Sequence, residues 1–149
     1  MPTVQSILDK KGPQVHRIAE DQTVLAAART MNENRIGALI VTRGEKVIGI
    51  FTERDILCRV VAAQREPART LVKEVMSSPV ACCTPETTRD ECRAVMRSKR
   101  IRHLPVVQDG VLVGIVSIGD VLIAAEEDQV ATIQYLYEYM YGEWSETPR

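Results

Sequence analysis

Aromatic residues are scarce over most of this sequence. The 149 residues include one Phe, one Trp and four Tyr, and five of these six lie between positions 135 and 144. Phe51 is therefore the one aromatic residue among the first 134 positions. The core of this region must be aliphatic, and hydrophobic residues, at 45% of the chain, are numerous enough to build a domain of ordinary size.

Other missing features argue against several classes of protein. No apolar run approaches the roughly 18 residues that a membrane-spanning helix needs, and the N-terminal residues lack the layout of a signal peptide. The four cysteines show no CxxC spacing and the two histidines lie far apart, which disfavours a disulfide scaffold or a zinc site. We therefore expect a cytoplasmic protein with reduced thiols, no metal site and no membrane contact.

The net charge of −1 conceals two oppositely charged parts of the chain. Residues 1–102 carry 18 Lys and Arg against 12 Asp and Glu, whereas residues 103–149 carry one against eight. Basic residues are densest within 93–102, at Arg93, Arg97, Lys99, Arg100 and Arg102. Such a patch is typical of a solvated helix face, and it is also what nucleic acid, a phosphorylated small molecule or an acidic partner would bind.

An internal repeat determines the predicted architecture. Residues 36–57 align with residues 101–122 without a gap, at an offset of 65, and seven of the 22 aligned positions are identical. The same offset matches Thr23 to Thr88 and Met31 to Met96. A gapless register over this span indicates a tandem duplication.

Each copy has the pattern β-α-β-β-α. A short extended segment (15–18 or 80–83) precedes a helix, two apolar runs joined by a tight turn, and a second helix that begins after Thr52 or Ser117. In the second copy, Thr88 and Glu91 have capping-box spacing, which predicts a helix starting near Arg89. Asp109-Gly110 between apolar runs predicts a β-hairpin.

We therefore expect an α+β fold with two tandem units packed pseudo-symmetrically, sheet to sheet. Unit one covers residues 10–63 and unit two covers residues 72–125, with a polar linker at 64–71 and a short leading helix at 3–11. Residues 126–149 are predicted to form a C-terminal helical tail. Its tyrosines suit burial between the subunits of a homodimer, and packing within one chain is the alternative.

Two tetrapeptides at matched positions are candidates for binding chemistry, Thr52-Glu53-Arg54-Asp55 and Ser117-Ile118-Gly119-Asp120. A hydroxyl residue at the N-cap with an Asp in the first turn is common at ordinary helix starts. The same geometry suits a nucleotide, because a helix N-terminus binds phosphate and a fixed carboxylate accepts ribose hydroxyls. Its presence in both copies favours the second interpretation.

The repeated pattern closely resembles the CBS domain, a regulatory module named after cystathionine β-synthase. The resemblance rests on GIFTERD at 49–55, GIVSIGD at 114–120 and HLPVV at 103–107, and it extends over about residues 10–125. It implies a pseudo-symmetric pair of units, a Bateman module, with adenosyl nucleotides bound in two clefts between them. The implied ligands are AMP, ADP, ATP, NAD(H) or S-adenosylmethionine, of which we favour AMP, ATP or NAD(H).

The resemblance also implies roles for individual residues. Asp55 and Asp120 look like ribose-binding carboxylates, with Thr52 and Ser117 beside the phosphate. The segments expected to line the adenine slots, largely through backbone groups, contain Val15, His16, Arg17 and Ile18 in unit one and Val80, Ala81, Cys82 and Cys83 in unit two.

The two clefts are expected to differ in chemistry. Arg102 and His103 occupy the positions of a phosphate-binding basic pair, and Arg54 could add charge to one cleft. The positions that match the pair in unit one are Gly37 and Ala38, and the position that matches Arg54 is Gly119. We include Ala38 and Pro105 among the nucleotide-binding residues and expect the clefts to differ in ligand or affinity. His103 as a partly buried histidine at a strand end is the alternative.

These observations favour a binding module over an enzyme. We expect a sensor that changes shape with its nucleotide, acts as a homodimer on an unidentified effector protein, and has no catalytic residue or catalytic cofactor. A small nucleotide-processing enzyme using Asp55, Asp120 or His103 is an alternative, although no catalytic triad or phosphate-binding glycine loop accompanies them. A nucleic-acid-binding protein using the basic patch at 93–102 is another, and it lacks a recognisable binding motif.

Overall fold

The computed structural model describes residues 2–12 and 14–125. The helices are α1 (Val4–Lys11), α2 (Val24–Asn34), α3 (Glu53–Asp55), α4 (Val72–Val75), α5 (Arg89–Lys99) and α6 (Ile118–Ala125), and a π-helix, Ile56–Val61, continues α3. The strands are β1 (Arg17–Ala19), β2 (Ala38–Arg43), β3 (Lys46–Thr52), β4 (His103–Gln108) and β5 (Val111–Ser117). The predicted tail helix at 126–149 and its role between subunits lie outside the described residues.

Unit one contains a three-stranded sheet in the order β1-β2-β3, with β1 parallel to β2 and β3 antiparallel to it. Helix α2 begins after Thr23, whose hydroxyl accepts a hydrogen bond from the amide of Ala26 at 3.1 Å. The helix buries Val24, Ala27 and Met31 in the core of this unit.

Unit two repeats this order around the antiparallel hairpin of β4 and β5. Helix α5 begins at Arg89 as predicted, and the Thr88 hydroxyl accepts from the amide of Glu91 at 3.2 Å. Asp109 and Gly110 form the hairpin turn with φ angles of 52° and 78°. Two consecutive positive φ angles are those of a type I′ turn, so the predicted hairpin is confirmed.

The predicted strand at 80–83 is wrong for all but its last residue. Cys83 pairs with Val106 in a single parallel bridge, and residues 80–82 are not in a strand. In unit one the amide of Ile40 donates to the carbonyl of His16 and extends the parallel pairing upstream. The matched position in unit two is Pro105, which has no N–H and cannot donate to the carbonyl of Ala81.

The two units pack against each other through their sheets, which confirms the α+β class and the sheet-to-sheet arrangement. Each unit has its own apolar core, mainly aliphatic and with Phe51 buried in that of unit one, and a third buried cluster joins the two. This third cluster contains Ala38, Ile40, Ile50 and Leu112, with Val15, Val47, Val80 and Ile115 packed against it. No helix among residues 2–12 and 14–125 is long and apolar enough to cross a membrane.

The short helices at the N-terminal ends of the two units are exchanged between them. Helix α1 packs against β5 and α6, and its residues Val4, Ile7 and Leu8 are buried in the core of unit two. Helix α4 packs against the π-helix, and Val72 and Val75 are buried in the core of unit one. The repeat therefore predicts the order of the elements, whereas the packing crosses the predicted boundaries of the units.

Candidate functional site

A cavity of about 800 Å³ lies between the two units, and we call it the Asp55 cleft. Unit one contributes the end of β3 and helix α3, while unit two contributes the start of β4 and the segment before Cys83. The lining residues are Gly37, Ile50, Thr52, Glu53, Arg54, Asp55, Ser77, Pro79, Val80, Ala81, Lys99, Arg100, Ile101, Arg102 and His103.

Thr52 and Asp55 close the start of helix α3 by reciprocal hydrogen bonds. The Asp55 amide donates to the Thr52 hydroxyl at 3.3 Å, and the Thr52 amide donates to Oδ2 of Asp55 at 3.0 Å. This is a capping box in which the carboxylate stands at the third helical position. The cap fixes the orientation of the Asp55 side chain relative to the end of β3.

The other oxygen of Asp55 is contacted by Ser77, from outside the helix, and by Arg59 on the π-helix. The Ser77 hydroxyl donates to Oδ1 at 3.0 Å, and Nε of Arg59 lies 3.9 Å from the same atom. Asp55 is only 5% exposed, yet it lines the cleft. The Thr52 amide, the Thr52 hydroxyl and the Ser77 hydroxyl donate three hydrogen bonds to Asp55, and since a carboxylate accepts about four, about one further donor could be accepted.

Arg102 and His103 belong to unit two and line the same cleft as Asp55 of unit one. His103 is half-buried, and burial lowers its pKa below the ordinary value, with the nearby charge of Lys11 acting in the same direction. Its imidazole is therefore neutral at pH 7 and offers one donor and one acceptor. The exposed Arg102 supplies the positive charge that would pair with a phosphate.

The backbone before Cys83 lines the Asp55 cleft with residues that are not paired into the sheet. Val80 and Ala81 line the cavity, and Pro105 on the adjacent strand cannot donate to the Ala81 carbonyl. The corresponding carbonyl of unit one, in His16, accepts from Ile40 at 3.1 Å. Within residues 2–12 and 14–125, Asp55 is the capped carboxylate whose cavity also contains a backbone segment outside the sheet.

The second tetrapeptide has the same cap and a different partner. The Ser117 amide donates to Oδ2 of Asp120 at 2.8 Å, and the Asp120 amide donates to the Ser117 hydroxyl at 3.1 Å. Nζ of Lys11 also donates to Oδ2 of Asp120, at 2.6 Å, and to the carbonyl of Ile115, at 3.0 Å. We call this arrangement the Asp120 site.

The ammonium group of Lys11 neutralises the Asp120 site. Burial alone would raise the pKa of Asp120, but the hydrogen bonds from Lys11 and Ser117 outweigh it and hold the pKa below its ordinary value. The carboxylate is thus ionised and already paired with a cation. A ribose at this site would have to compete with Lys11.

The structure brings together six of the predicted nucleotide-binding residues, all in the lining of the Asp55 cleft. These are Thr52, Arg54, Asp55, Val80, Arg102 and His103. The other predicted residues lie outside this lining. Ser117 and Asp120 form the Asp120 site, and Val15 and Ala38 belong to the cluster between the sheets. His16 precedes β1, Arg17 is exposed on β1, Ile18 is buried in the core of unit one, Pro105 is buried on β4 and Cys82 is exposed.

Sequence reasoning missed the residues that hold the two carboxylates. Ser77 lies 22 positions after Asp55, and Lys11 lies 109 positions before Asp120. Each residue follows or ends one of the exchanged helices, so neither belongs to the unit whose carboxylate it contacts. In the repeat alignment, with its offset of 65, Ser77 is aligned with Gly12, so the alignment does not reveal that the helices are exchanged.

Comparison with known proteins places this geometry in a family. The family model for the CBS domain matches the chain twice, at residues 7–62 and 72–127. The mitochondrial CBS domain-containing protein CBSX3 of Arabidopsis thaliana is 33% identical over 149 residues, which cover 94% of this chain and 72% of that protein. The CBS domain-containing protein YhcV of Bacillus subtilis is 33% identical over 120 residues, which cover 80% of this chain and 85% of that protein.

Solved structures agree with the sequence relatives. A CBS-domain protein of Agrobacterium tumefaciens is 37% identical and superposes with a TM-score of 0.78, covering 83% of this chain and 98% of that chain. A Burkholderia ambifaria protein with CBS domains, described as a putative signal-transduction protein, is 38% identical. It superposes with a TM-score of 0.81, and the match covers 85% of this chain and 96% of that chain. With two matched units, exchanged helices and a capped carboxylate at each hairpin end, the chain belongs to the CBS domain family as a tandem pair.

Proposed function

We propose that this protein is a regulatory sensor that binds an adenosyl nucleotide in the Asp55 cleft and passes its occupancy to a partner protein. The candidate ligands are AMP, ADP, ATP, NAD(H) and S-adenosylmethionine. The observation that carries the proposal is the convergence of Asp55, Ala81 and Arg102 on one cavity between the units. These groups suit a ribose, an adenine edge and a phosphate respectively.

The position of the cleft supports a role in sensing. Its lining comes from both units, so a ligand that contacts both would favour one relative arrangement of the sheets. A ligand shifts such an equilibrium only by its difference in affinity between the two arrangements. Contacts that span the boundary between units are those that differ when the units move.

Self-association is part of this proposal. The large apolar side chains of Leu57, Val61, Leu122 and Ile123 are 47–66% exposed on the helices that follow the two hairpins. Exposed apolar surface of this kind is typical of a protein interface. A structural neighbour, the CBS-CP12 protein of bloom-forming cyanobacteria, is hexameric and 27% identical, which supports assembly as a property of related chains.

A thermal-shift screen tests the proposed ligand class. The adenosyl candidates and GMP, as a control for the base, would be added to the wild type and to Asp55→Asn. Because a ligand of the native state stabilises by mass action, we expect the adenosyl ligand to raise the Tm of the wild type and to have little effect on Asp55→Asn. No shift at millimolar concentration, or an equal shift in the variant, would contradict the proposal.

A further inference from the structure

Asp55 has nearly filled its capacity for hydrogen bonds within the chain. Its Oδ2 accepts from the amide and the hydroxyl of Thr52, at 3.0 Å and 3.3 Å, and its Oδ1 accepts from the hydroxyl of Ser77 at 3.0 Å. Nε of Arg59, 3.9 Å from Oδ1, is too distant for a hydrogen bond. Since a carboxylate accepts about four hydrogen bonds, room for about one donor is left.

A ribose with both hydroxyls free needs more room than this. Its two neighbouring hydroxyls would offer Asp55 two donors, which exceed the remaining capacity of the carboxylate. Asp55 is only 5% exposed, so its hydrogen-bond partners are confined to the groups around the cleft. One of the present donors must therefore leave if both ribose hydroxyls are to bind Asp55.

The hydroxyl of Ser77 is the donor that can leave at the smallest cost. The two bonds from Thr52 belong to the cap of helix α3, and breaking them would free the start of the helix. The side chain of Ser77 can rotate to another rotamer while its backbone stays in place. That backbone is paired with Ile50, since the Ser77 amide donates to the Ile50 carbonyl at 2.9 Å and the Ile50 amide donates to the Ser77 carbonyl at 3.1 Å.

Unit two shows that the cap itself does not need the hydroxyl of Ser77. The matching position is Gly12, which has no side chain, yet Ser117 and Asp120 form the same reciprocal cap. In both units a donor near the end of an exchanged helix reaches the capped carboxylate, Ser77 after α4 and Lys11 at the end of α1. These donors therefore occupy the carboxylates and do not build the caps.

We propose that Ser77 is an affinity-determining residue of the Asp55 cleft, because its hydroxyl holds on Asp55 the place of one ribose hydroxyl. A nucleotide with both hydroxyls free then binds by exchange. One ribose hydroxyl takes the remaining place on Asp55, the other replaces Ser77, and the Ser77 side chain turns into the cavity that it lines. For the identity of the ligand, this inference rests on the proposed function.

The exchange determines what the cleft gains from each ribose hydroxyl. A ligand with a single free hydroxyl fills the remaining place on Asp55 and leaves Ser77 bound. A second hydroxyl replaces one hydrogen bond from a neutral donor by another, so it adds little net free energy. The wild type should therefore distinguish only weakly between a ribonucleotide and its 2′-deoxy form.

Calorimetric titration of the full chain with AMP, ATP and their 2′-deoxy forms tests the inference. In the wild type we expect each ribonucleotide to bind within about twofold of its 2′-deoxy form. In Ser77→Ala both ribose hydroxyls bind without displacing a donor, so the ribonucleotide should bind about threefold to tenfold more tightly than its 2′-deoxy form, which is the net worth of a neutral hydrogen bond. Affinity for the 2′-deoxy forms should stay within about twofold of the wild-type value.

Two further variants separate this role from a structural one. Ser77→Thr keeps a hydroxyl at the same place and should restore the weak discrimination of the wild type. Ser78→Ala removes the neighbouring hydroxyl, which donates to the carbonyl of Ile48 at 2.9 Å and does not contact Asp55, and should also behave as the wild type. If Ser77 only shaped the cleft, its loss would weaken both forms of the nucleotide equally and leave their ratio unchanged.

The outcomes distinguish failure of this inference from failure of the proposed function. An unchanged ratio in Ser77→Ala, weaker ribonucleotide binding in that variant, or a tenfold preference for ribonucleotides in the wild type would overturn the role of Ser77 while nucleotide binding upheld the cleft. Absence of binding by the wild type and by every variant would contradict the proposed function, and this inference with it.

Discussion

Units one and two have the same backbone design and different chemistry at the places where a ligand would bind. Thr52 with Asp55 and Ser117 with Asp120 form matching caps, and both hairpins have a register shift at matched positions. Next to these features, however, Ala38 corresponds to His103 and Ile40 corresponds to Pro105. The comparison teaches that the duplication has kept the helix caps and the hairpins, and has changed a side chain at the cleft, His103, and a backbone donor, at Pro105.

The carboxylates show the same contrast at closer range. Asp55 accepts a hydrogen bond from the neutral hydroxyl of Ser77, whereas Asp120 is paired with the ammonium group of Lys11. Nε of Arg59 also lies 3.9 Å from Oδ1 of Asp55, which is a longer contact than the 2.6 Å pair of Lys11 and Asp120, so the charge of Asp55 is the less fully compensated of the two. Equivalent sequence motifs therefore hold two carboxylates that differ in how closely a cation is paired with them.

The exchange of helices is the part of the comparison whose disruption should have the largest effect. Leu8 is 6% exposed in the core of unit two, so we expect Leu8→Ala to lower the free energy of unfolding by about 2–4 kcal/mol. Hydrogen exchange should show the loss of protection in β5 and α6 before β1–β3. Val111→Ala, at a side chain that is 49% exposed and is not part of the surface proposed for self-association, is the control and should cost little. Loss of protection confined to β1–β3 would contradict the exchange.

Two matched glycines should differ in their tolerance of a methyl group. A Cβ at Gly49 would lie 2.9 Å from the backbone carbonyl of Ser77, whereas a Cβ at Gly114 would meet the end of the Leu8 side chain, at 2.7 Å. A leucine methyl can move and a backbone carbonyl cannot do so without shifting the chain. We therefore expect Gly49→Ala to cost about 1–3 kcal/mol and Gly114→Ala less.

Chemical denaturation of the two variants measures this difference. An equal loss of stability would mean that the exchanged helices approach the two hairpins in the same way. A larger loss in Gly114→Ala would mean that Leu8 is held more rigidly than the segment at Ser77.

Much of the fold follows from the sequence because local signals act within each repeat. Thr88 and Asp109-Gly110 predicted a helix start and a hairpin turn at the residues where the structure has them. Apolar character could not show that residues 80–82 do not form a strand, since strand formation there depends on a backbone donor at position 105 in another strand. Pro105 was visible in the sequence, and its effect depended on a parallel pairing that only the fold reveals.

The candidate site was predictable only in part, for a related reason. Thr52, Asp55, Arg102 and His103 were identified by repeat position and resemblance, and they line one cleft. Lys11 was not identified, because its contact with Asp120 arises from the exchange of α1 into unit two. Contacts between distant segments leave no spacing pattern in one sequence.

The ion pair of the Asp120 site should have the smallest effect on stability. Lys11 and Asp120 are partly exposed, so we expect Lys11→Ala to cost no more than about 1 kcal/mol at pH 7. The pKa of Asp120 is lowered in the folded state, so the contribution is present above its ordinary value of 3.8 and is lost as pH falls through the folded value. The difference between wild type and variant should therefore shrink on acidification.

Denaturation at pH 7 and at about pH 3 checks this sign. Lys46→Ala is the control, because Lys46 is exposed at the start of β3 and away from Asp120. A difference between Lys11→Ala and wild type that grows as the pH falls would contradict the ion pair as the main role of Lys11.

The central claim is that Asp55, and not Asp120, binds the ribose of an adenosyl nucleotide. Calorimetric titration of wild type, Asp55→Asn and Asp120→Asn with the nucleotide selected by the thermal screen tests it most directly. Loss of a charged hydrogen-bond acceptor should weaken binding to Asp55→Asn by at least about tenfold, with Asp120→Asn within about twofold of wild type. Unchanged binding to Asp55→Asn, or a loss confined to Asp120→Asn, would contradict the account.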